Sequence, residues 1–185
     1  MIHTLFDQIV VPIGGGGLIS GIAIAAKSIR HDVKIIGVES ELSDSMKKSV
    51  EAGRIIAHTS GESIADGISV KYPGELTLKI VKDYVDDIVT VSDEIIALAI
   101  YKLLERNKTL VEPSGAAALA ALMDRKVDVA RGKTVVILSG GNINLLLLSK
   151  IIYKSMQIES KLVRIEFKIP DRPGTLFKIS SAISE

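Results

Sequence analysis

Short apolar runs alternate along the chain with longer segments in which apolar residues recur at helical spacing. Four of these runs predict strands that are buried on both faces, at residues 9–13, 34–38, 87–91 and 133–138. A buried strand followed by a helix, repeated along a chain, is typical of a parallel sheet covered by helices. The pattern therefore predicts an α/β fold, a parallel sheet with helices on both faces.

Helical segments follow each predicted strand, and several begin at residues that cap helices. Ser43 or Ser45 would cap a short helix that ends at Gly53, and Ser92 and Asn144 would cap two others. The helix that Ser92 would cap covers residues 93–104, and further helical segments are at residues 18–29, 76–84 and 115–123. Residues 54–73 fit no period, and an irregular segment of this length is often functional.

The pattern changes near the end of the chain. Residues 155–161 are predicted to be a linker, and residues 162–169 then alternate apolar with polar positions, as a half-exposed strand does. A turn and a helix from Thr175 follow. Because one strand and one helix cannot bury a core of their own, we expect the start of a second domain. The predicted division is a main domain at residues 1–154, the linker, and a partial domain at residues 162–185.

Composition supports this class of fold and excludes several functions. The 185 residues are 47% hydrophobic, with a mean hydropathy of +0.34, but only 4% aromatic, as expected for an aliphatic core. The net charge is +1 with no basic stripe, which argues against nucleic acid as a partner. The absence of cysteine excludes disulfides and thiol catalysis and favours a cytoplasmic protein. No apolar run approaches the ~20 residues of a membrane span, so we expect no membrane partner.

The most informative stretch is the run of four glycines at residues 14–17, between the first predicted strand and its helix. Without Cβ atoms, successive backbone N–H groups can point at one anion, at the positive end of the helix dipole. We expect that anion to be a phosphate. Two alternatives stay open, a tight turn with no ligand and a dinucleotide site. The second has an acid at Glu39, where a ribose ligand is expected, but the G-x-G-x-x-G spacing is not met.

A second glycine turn, at residues 139–142, follows the last predicted strand. The carboxyl ends of parallel strands meet at one edge of the sheet, where ligands bind, so the two turns can face one site. The Ser139 hydroxyl can then meet a flat ligand that the neighbouring glycines allow to come close. Together the turns would hold a phosphate at one end of an aromatic cofactor and a ring nitrogen at the other.

Four motifs resemble those of one family. They are V-P-I-G-G-G-G-L at residues 11–18, A-D-G-I at 65–68, E-P-S-G-A at 112–116 and S-G-G-N at 139–142. In this order and spacing they resemble the threonine/serine dehydratases, or threonine ammonia-lyases, among the fold-type-II pyridoxal-phosphate (PLP) enzymes. The sequence D-R-P-G-T-L at residues 171–176 resembles the start of a ferredoxin-like ACT regulatory domain. The resemblance implies PLP as the cofactor and the first strand and helix of an ACT domain in the tail.

The resemblance also assigns cofactor contacts position by position. The residues that match the backbone cradle of the phosphate are Gly14, Gly15, Gly16, Gly17 and Leu18. Ser139, beside Gly140, matches the hydroxyl partner of the ring nitrogen, and Gly67 matches a backbone position that approaches the cofactor. Glu112 matches an acid near the ring. The alternative for Glu112 is a charge that stabilises the N-terminus of the next helix.

A hydroxyl at the ring nitrogen has a chemical consequence. A carboxylate there would keep the nitrogen protonated and make the ring a strong electron sink, whereas a hydroxyl leaves the nitrogen neutral. The weaker sink is sufficient when a β-hydroxyl departs as the α-proton leaves. The resemblance thus implies β-elimination, in which L-threonine or L-serine gives a 2-oxo acid and ammonia. It further implies a homo-oligomer and an amino-acid effector at the turn formed by Asp171, Arg172, Pro173 and Gly174.

The Schiff-base lysine of this family lies in an S-x-K-x-R-G-A stretch well before the glycine loop. No lysine of this chain has that context, so we assign no catalytic residue. We expect the chain to be a C-terminal part of the enzyme, inactive alone and able to hold PLP only weakly. Two other functions stay open: a non-catalytic module that senses amino acids or assists assembly, and a nucleotide-binding oxidoreductase fragment.

A cation site, divalent or monovalent, is a further prediction from the resemblance. Related racemases bind a divalent ion through an acid after the second strand and through groups a few residues later. Glu39 and the Ser43 carbonyl match these places, but Ser45 stands where a second carboxylate is needed. The alternative is that Glu39 is an ordinary charge at a strand end. The histidines show no spacing typical of metal ligands.

Overall fold

Four parallel strands form the sheet in the structure, a computed structural model that describes residues 6–57, 61–129, 132–169 and 172–184. The strands are β1 (Gln8–Pro12), β2 (Lys34–Ser40), β3 (Asp87–Val91) and β4 (Thr134–Val136), in the order β3-β2-β1-β4. Val10 of β1 pairs with Ile36 of β2 and with Val136 of β4. The predicted parallel α/β fold is confirmed, although β4 is shorter than the predicted residues 133–138.

The described part of the chain contains seven α-helices, of which the last buries no residue. They are α1 (Gly17–Ile29), α2 (Ser45–Ala52), α3 (Glu75–Tyr84), α4 (Asp93–Lys102), α5 (Pro113–Met123), α6 (Leu145–Ile158) and α7 (Thr175–Ser184). A 3₁₀ turn (Asp66–Ile68) lies in the irregular segment before α3. Within the described residues, no helix is both long and apolar enough to cross a membrane.

Alternate residues of the strands point into two separate cores. Ile9 and Val11 of β1 pack with apolar residues of α1, α2 and α3 on one face. Val10, between them, packs with α4 and α5 on the other face. Because helices cover both faces, every residue of β1 is buried. This double burial is the reason that the strand is a continuous apolar run rather than an alternating one.

Two helix starts have the caps that the sequence predicts. Ser92 Oγ accepts a hydrogen bond from the Ile95 N–H group at the start of α4. Asn144 Oδ1 accepts one from the Leu146 N–H group at 2.7 Å, at the start of α6. In both cases the side chain satisfies a donor that has no partner within its helix.

The prediction that Ser43 or Ser45 caps α2 is wrong. The residue at the cap position is Asp44, and it makes no capping hydrogen bond through its side chain. Ser45 is already within the helix, and its Oγ donates instead to the Val70 carbonyl at 2.9 Å. The free N–H groups of this helix have a different acceptor, the Glu39 carboxylate, which is described below.

The helix predicted at residues 93–104 also ends differently. α4 is followed by a π-helical turn (Leu103–Asn107), and Lys108 then adopts a left-handed conformation with φ of 58°. The Lys108 N–H group donates to the Leu103 carbonyl, so the turn accommodates one extra residue before the chain leaves the helix.

The tail of the chain matches its prediction only in part. α7 confirms the helix predicted from Thr175, but residues 162–169 do not form the predicted strand. These residues are largely exposed and pair with no strand in the described part of the chain. A strand forms only where its N–H and C=O groups meet a neighbouring strand, and alternation alone supplies no neighbour. The ACT-type domain and its boundary stay predictions.

Candidate functional site

A cleft lies where β1 ends, between the four-glycine loop and the start of α5. Its lining residues are Pro12, Gly14, Gly15, Gly16, Gly17, Leu18, Gly67, Ile68, Glu112, Ser114 and Ser139. Of the residues predicted to contact the cofactor, only Gly140 is absent from this lining. The pairing of β1 with β4 brings the two glycine turns to one edge of the sheet, as expected from the parallel fold.

The glycine loop presents backbone N–H groups that have no acceptor in the part of the protein that the structure describes. Among the described residues, no N–H group from Gly14 to Leu18 donates to another protein group. A Cβ atom at Gly15 or Gly17 would meet nothing within 4 Å, so these positions face open space. The loop leads into the N-terminus of α1, where the helix dipole places positive potential. This combination is suited to an anion such as phosphate.

The conformation of the glycine loop is fixed by α3. Thr77 Oγ1 donates to the Gly15 carbonyl at 2.6 Å. Gly16 has a φ of 89°, and a Cβ atom there would lie 2.6 Å from Met46 Cε and 2.8 Å from Thr77 Cβ. Position 16 therefore requires glycine for both its backbone conformation and its close packing. Thr77 was not predicted from the sequence, because no motif contains it.

Glu112 joins the start of α5 to the second glycine turn. Its backbone N–H group donates to the Gly140 carbonyl at 3.2 Å, and its Oε2 accepts a hydrogen bond from the Asn142 N–H group at 3.0 Å. Gly140 has a φ of 78°, and a Cβ atom there would collide with the Glu112 carboxylate. Glu112 thus lines the cleft and also stands at the cap position of α5, although its side chain makes no capping hydrogen bond. Its roles as an acid near the cofactor ring and as a charge at the helix start both stay predictions.

Gly67 reaches the cleft through a segment anchored on α4. It lies in the 3₁₀ turn, within the stretch that the sequence shows as irregular. Ser63 Oγ and the Ile64 N–H group donate to the Asp93 carboxylate, at 2.6 and 2.8 Å. Asp93 belongs to the first turn of α4, so these hydrogen bonds hold the segment against that helix. This role of Asp93 was not predicted from the sequence, because its partners are distant along the chain.

Ser114 is a cleft residue that lies within one of the four motifs but was not predicted to contact the cofactor. It is 5% exposed, and its Oγ has no hydrogen-bond partner among the described residues. A Cβ atom at Gly67 would lie 2.8 Å from Ser114 Oγ. Its place within the E-P-S-G-A motif was the available signal.

Glu39 is outside the cleft and caps α2. The Met46 N–H group donates to Oε1 at 2.9 Å and the Lys47 N–H group donates to Oε2 at 2.8 Å. The residue is 1% exposed. Burial raises the pKa of Glu39 to about 7, although the hydrogen bonds from Lys47 and Met46 act in the opposite direction.

The predicted cation site is not tested by this geometry and stays a prediction. Both Glu39 oxygens already accept hydrogen bonds, and the Ser43 hydroxyl is buried without a hydrogen-bond partner in the described residues. No group of three or more His, Cys, Asp or Glu side chains with metal-site geometry occurs in the described part of the chain.

The residues predicted to bind an effector lie in the tail. Asp171 is outside the described residues. Arg172, Pro173 and Gly174 form an exposed turn before α7, in which Thr175 Oγ1 donates to the Arg172 carbonyl at 2.9 Å. None of these three lines the cleft.

Sequence comparison identifies the class of protein that this fold and cleft define. Residues 2–140 match the family described as "Pyridoxal-phosphate dependent enzyme". The chain belongs to this family, and the predicted resemblance to fold-type-II PLP enzymes is confirmed.

Within this family, the chain is similar to proteins named threonine ammonia-lyase, dehydratase or deaminase. The L-threonine ammonia-lyase of Geobacter sulfurreducens is 44% identical over 178 residues, which are 96% of this chain and 44% of that protein. The catabolic L-threonine dehydratase TdcB of Escherichia coli (strain K12) is 48% identical over 147 residues, 78% of this chain and 45% of that protein. The structure of the processed form of threonine deaminase isoform 2 from Solanum lycopersicum has a TM-score of 0.75 and 31% identity, covering 81% of this chain and 44% of that one. The chain spans about half the length of the curated relatives it matches.

Proposed function

We propose that this chain is the cofactor-binding part of a PLP-dependent threonine dehydratase, which converts L-threonine or L-serine to a 2-oxo acid and ammonia. The observation that carries the proposal is that both glycine turns line one cleft, with free N–H groups on the first turn and the Ser139 hydroxyl on the second. Relatives named threonine ammonia-lyase and threonine dehydratase support the substrate and the reaction.

Each element of the cleft has a proposed role. The N–H groups from Gly14 to Leu18 bind the PLP phosphate, for which the open space at Gly15 and Gly17 leaves room. The Ser139 hydroxyl donates to the ring nitrogen and keeps it neutral. Bound PLP supplies the electron sink for the reaction. With a hydroxyl rather than a carboxylate at the nitrogen, the site favours loss of a β-hydroxyl group over transamination.

Covalent attachment of PLP requires a lysine, and no lysine lines the cleft among the described residues. We propose that this lysine belongs to a part of the enzyme outside the chain. The chain alone then binds PLP by its phosphate and ring contacts and does not deaminate threonine.

The tail is proposed to begin an ACT-type domain that binds an amino-acid effector at residues 171–174, in an enzyme that is a homo-oligomer. Support comes from apolar side chains that the described structure leaves exposed, Val163, Ile165 and Phe167 at 74%, 55% and 51%. A completed domain or a second subunit would cover such a row. A cation at Glu39 and Ser43 rests only on the match to related racemases.

The first prediction tests PLP binding by the isolated chain. Calorimetric titration is expected to give weak binding of PLP that inorganic phosphate competes away, and no binding of NAD. Ser139→Ala is expected to weaken PLP binding and to leave phosphate binding unchanged, because it alters only the ring end. Failure of concentrated PLP to bind would contradict the proposed function, and tight NAD binding would favour the oxidoreductase alternative.

The same preparation tests the assignment of the lysine. With saturating PLP and L-threonine, we expect no formation of 2-oxobutanoate by the chain alone. Robust turnover would show that a lysine of this chain performs the reaction.

A further inference from the structure

Ser114 is a second hydroxyl in the cleft, and the proposed cofactor contacts leave it unused. Only 5% of the residue is exposed, and its Oγ has no hydrogen-bond partner among the described residues. A buried hydroxyl without a partner has lost its hydrogen bonds to water and gained none in return. Such groups are few in folded proteins, and Ser114 differs from the others here in lining a cleft, where a bound molecule can supply the partner.

The surroundings of Ser114 place it beside the turn that carries Ser139. The next residue, Gly115, lies directly against the Ser139 carbonyl, where a Cβ atom would collide with it. Across the cleft, a Cβ atom at Gly67 would lie 2.8 Å from Ser114 Oγ and 3.8 Å from Glu112 Oε1. The lack of a side chain at position 67 therefore leaves free space next to two polar atoms.

We propose that Ser114 Oγ hydrogen-bonds the ring edge of bound PLP, as a second anchor beside Ser139. The inference rests on the proposed function, since it requires that PLP is the ligand of the cleft. Ser114 Oγ has no hydrogen-bond partner in the described structure, Ser139 included, so its contribution is a direct contact rather than support of the Ser139 hydroxyl.

Ser20 provides a matched control. It is also 5% exposed, and its Oγ also lacks a hydrogen-bond partner in the part of the chain that the structure describes. It lies on α1 and is not part of the cleft lining. Ser20→Ala and Ser114→Ala thus remove the same group from equally buried positions, one away from the cleft and one in it.

The experiment measures, for the full chain and both variants, the affinity for PLP, the affinity for inorganic phosphate and the urea midpoint without ligand. Ser114→Ala is expected to bind PLP about tenfold more weakly, as expected for loss of one hydrogen bond, with phosphate affinity unchanged. Its urea midpoint should stay level or rise, because an unpaired hydroxyl has been removed. Ser20→Ala should leave both affinities unchanged. Ser114→Cys, with a weaker donor of similar size, should lie between serine and alanine.

The outcomes separate this inference from the proposed function. Unchanged PLP affinity in Ser114→Ala overturns the inference, while loss of PLP affinity in Ser139→Ala would still support the cofactor assignment. Equal losses of PLP and phosphate affinity in Ser114→Ala would indicate a general distortion of the cleft, and would also overturn it. If the unaltered chain binds phosphate but not PLP, both the inference and the proposed function fail.

Discussion

Glu39 has an ionisable side chain that is buried away from water. Its carboxylate is buried at the end of β2, and it accepts two backbone hydrogen bonds from the first turn of α2. The hydrogen bonds and the helix dipole favour the charged form, whereas the loss of hydration favours the neutral one. The loss of hydration is the larger effect, which leaves the pKa of Glu39 at about 7.

This balance predicts a pH dependence of stability. In the unfolded chain Glu39 loses its proton at its ordinary pKa of 4.5, but in the folded chain its pKa is about 7. Between these values the folded state binds more protons, so the free energy of unfolding falls as pH rises, by about 3 kcal/mol in total. Urea unfolding between pH 4 and 8 would measure this decrease.

Glu39→Gln is the matched variant for the pH prediction. Glutamine has nearly the same size as glutamate but does not titrate. The free energy of unfolding of the variant should therefore fall less steeply with pH, whatever its absolute value. Parallel pH profiles for the two proteins would contradict a raised pKa at Glu39. The same profiles repeated with added Mg²⁺ or Ca²⁺ would test the cation site, because a bound cation lowers the pKa of its carboxylate ligand and would flatten the slope.

At the scale of single elements, the glycine loop depends on a neighbour for its shape. Four consecutive glycines have too much conformational freedom to define one anion site by themselves. The Thr77 hydroxyl holds the Gly15 carbonyl, and the Gly74 N–H group donates to the same oxygen at 3.4 Å. α3 therefore turns a flexible sequence into a loop with one conformation.

Thr77→Val is expected to loosen the loop. The variant keeps the Cβ atom that packs near Gly16 but loses the hydroxyl, which is expected to cost about 1 kcal/mol of stability. Phosphate and PLP affinity should fall together, by about fivefold, since the loop must be ordered again on binding. Thr77→Ser retains the hydroxyl and should bind both ligands as the unaltered chain does. Unchanged phosphate affinity in Thr77→Val would show that the loop is held by other contacts.

Some structural elements could be predicted from the local sequence and others could not. Buried strands and the glycine turns follow from local pattern, and the cleft lining was predicted apart from Pro12, Ile68 and Ser114, although Gly140 does not join it. Thr77 and Asp93 were missed because they act through hydrogen bonds to residues far along the chain. The cap of α2 was assigned to nearby serines, since no local pattern shows that a strand-end carboxylate will reach it. Residues 162–169 alternate as a strand does, but pairing depends on a neighbour that alternation cannot show.

At the scale of the whole molecule, a charged cluster connects the segment that follows α6 to the turn that follows α4. Lys161 Nζ lies 2.6 Å from Glu105 Oε1 and 2.8 Å from Glu159 Oε2. It also lies 5.2 Å from the centre of the Tyr101 ring. Glu105 belongs to the π-helical turn after α4, so the cluster joins that turn to the end of α6. The hydrogen bond from Lys161, followed by that from Tyr101, lowers the pKa of Glu105 to about 2.

Lys161→Met removes the charge from this cluster and retains most of the aliphatic stem. The pKa of Glu105 is expected to rise towards its ordinary 4.5, which NMR titration of its carboxyl carbon would measure. In the unaltered chain Glu105 stabilises the fold above about pH 4.5, and this contribution is lost as pH falls towards 2; in the variant it should be largely absent. Lys150→Met, at an exposed position of α6, is the control and should leave the titration of Glu105 unchanged. A low pKa that persists in Lys161→Met would assign the shift to Tyr101 and Lys102 instead.

The pairing of β1 with β4 determines when the cleft can exist. Gln8 and Thr134 are neighbours in the sheet although they are 126 positions apart in sequence. Closing so long a loop is a slow, late event in folding, and a chain emerging from the ribosome cannot complete it until β4 has been synthesised. The first glycine turn is therefore synthesised before the second glycine turn exists. A ligand that needs both turns stabilises the finished sheet and has nothing to bind on the partly folded chain.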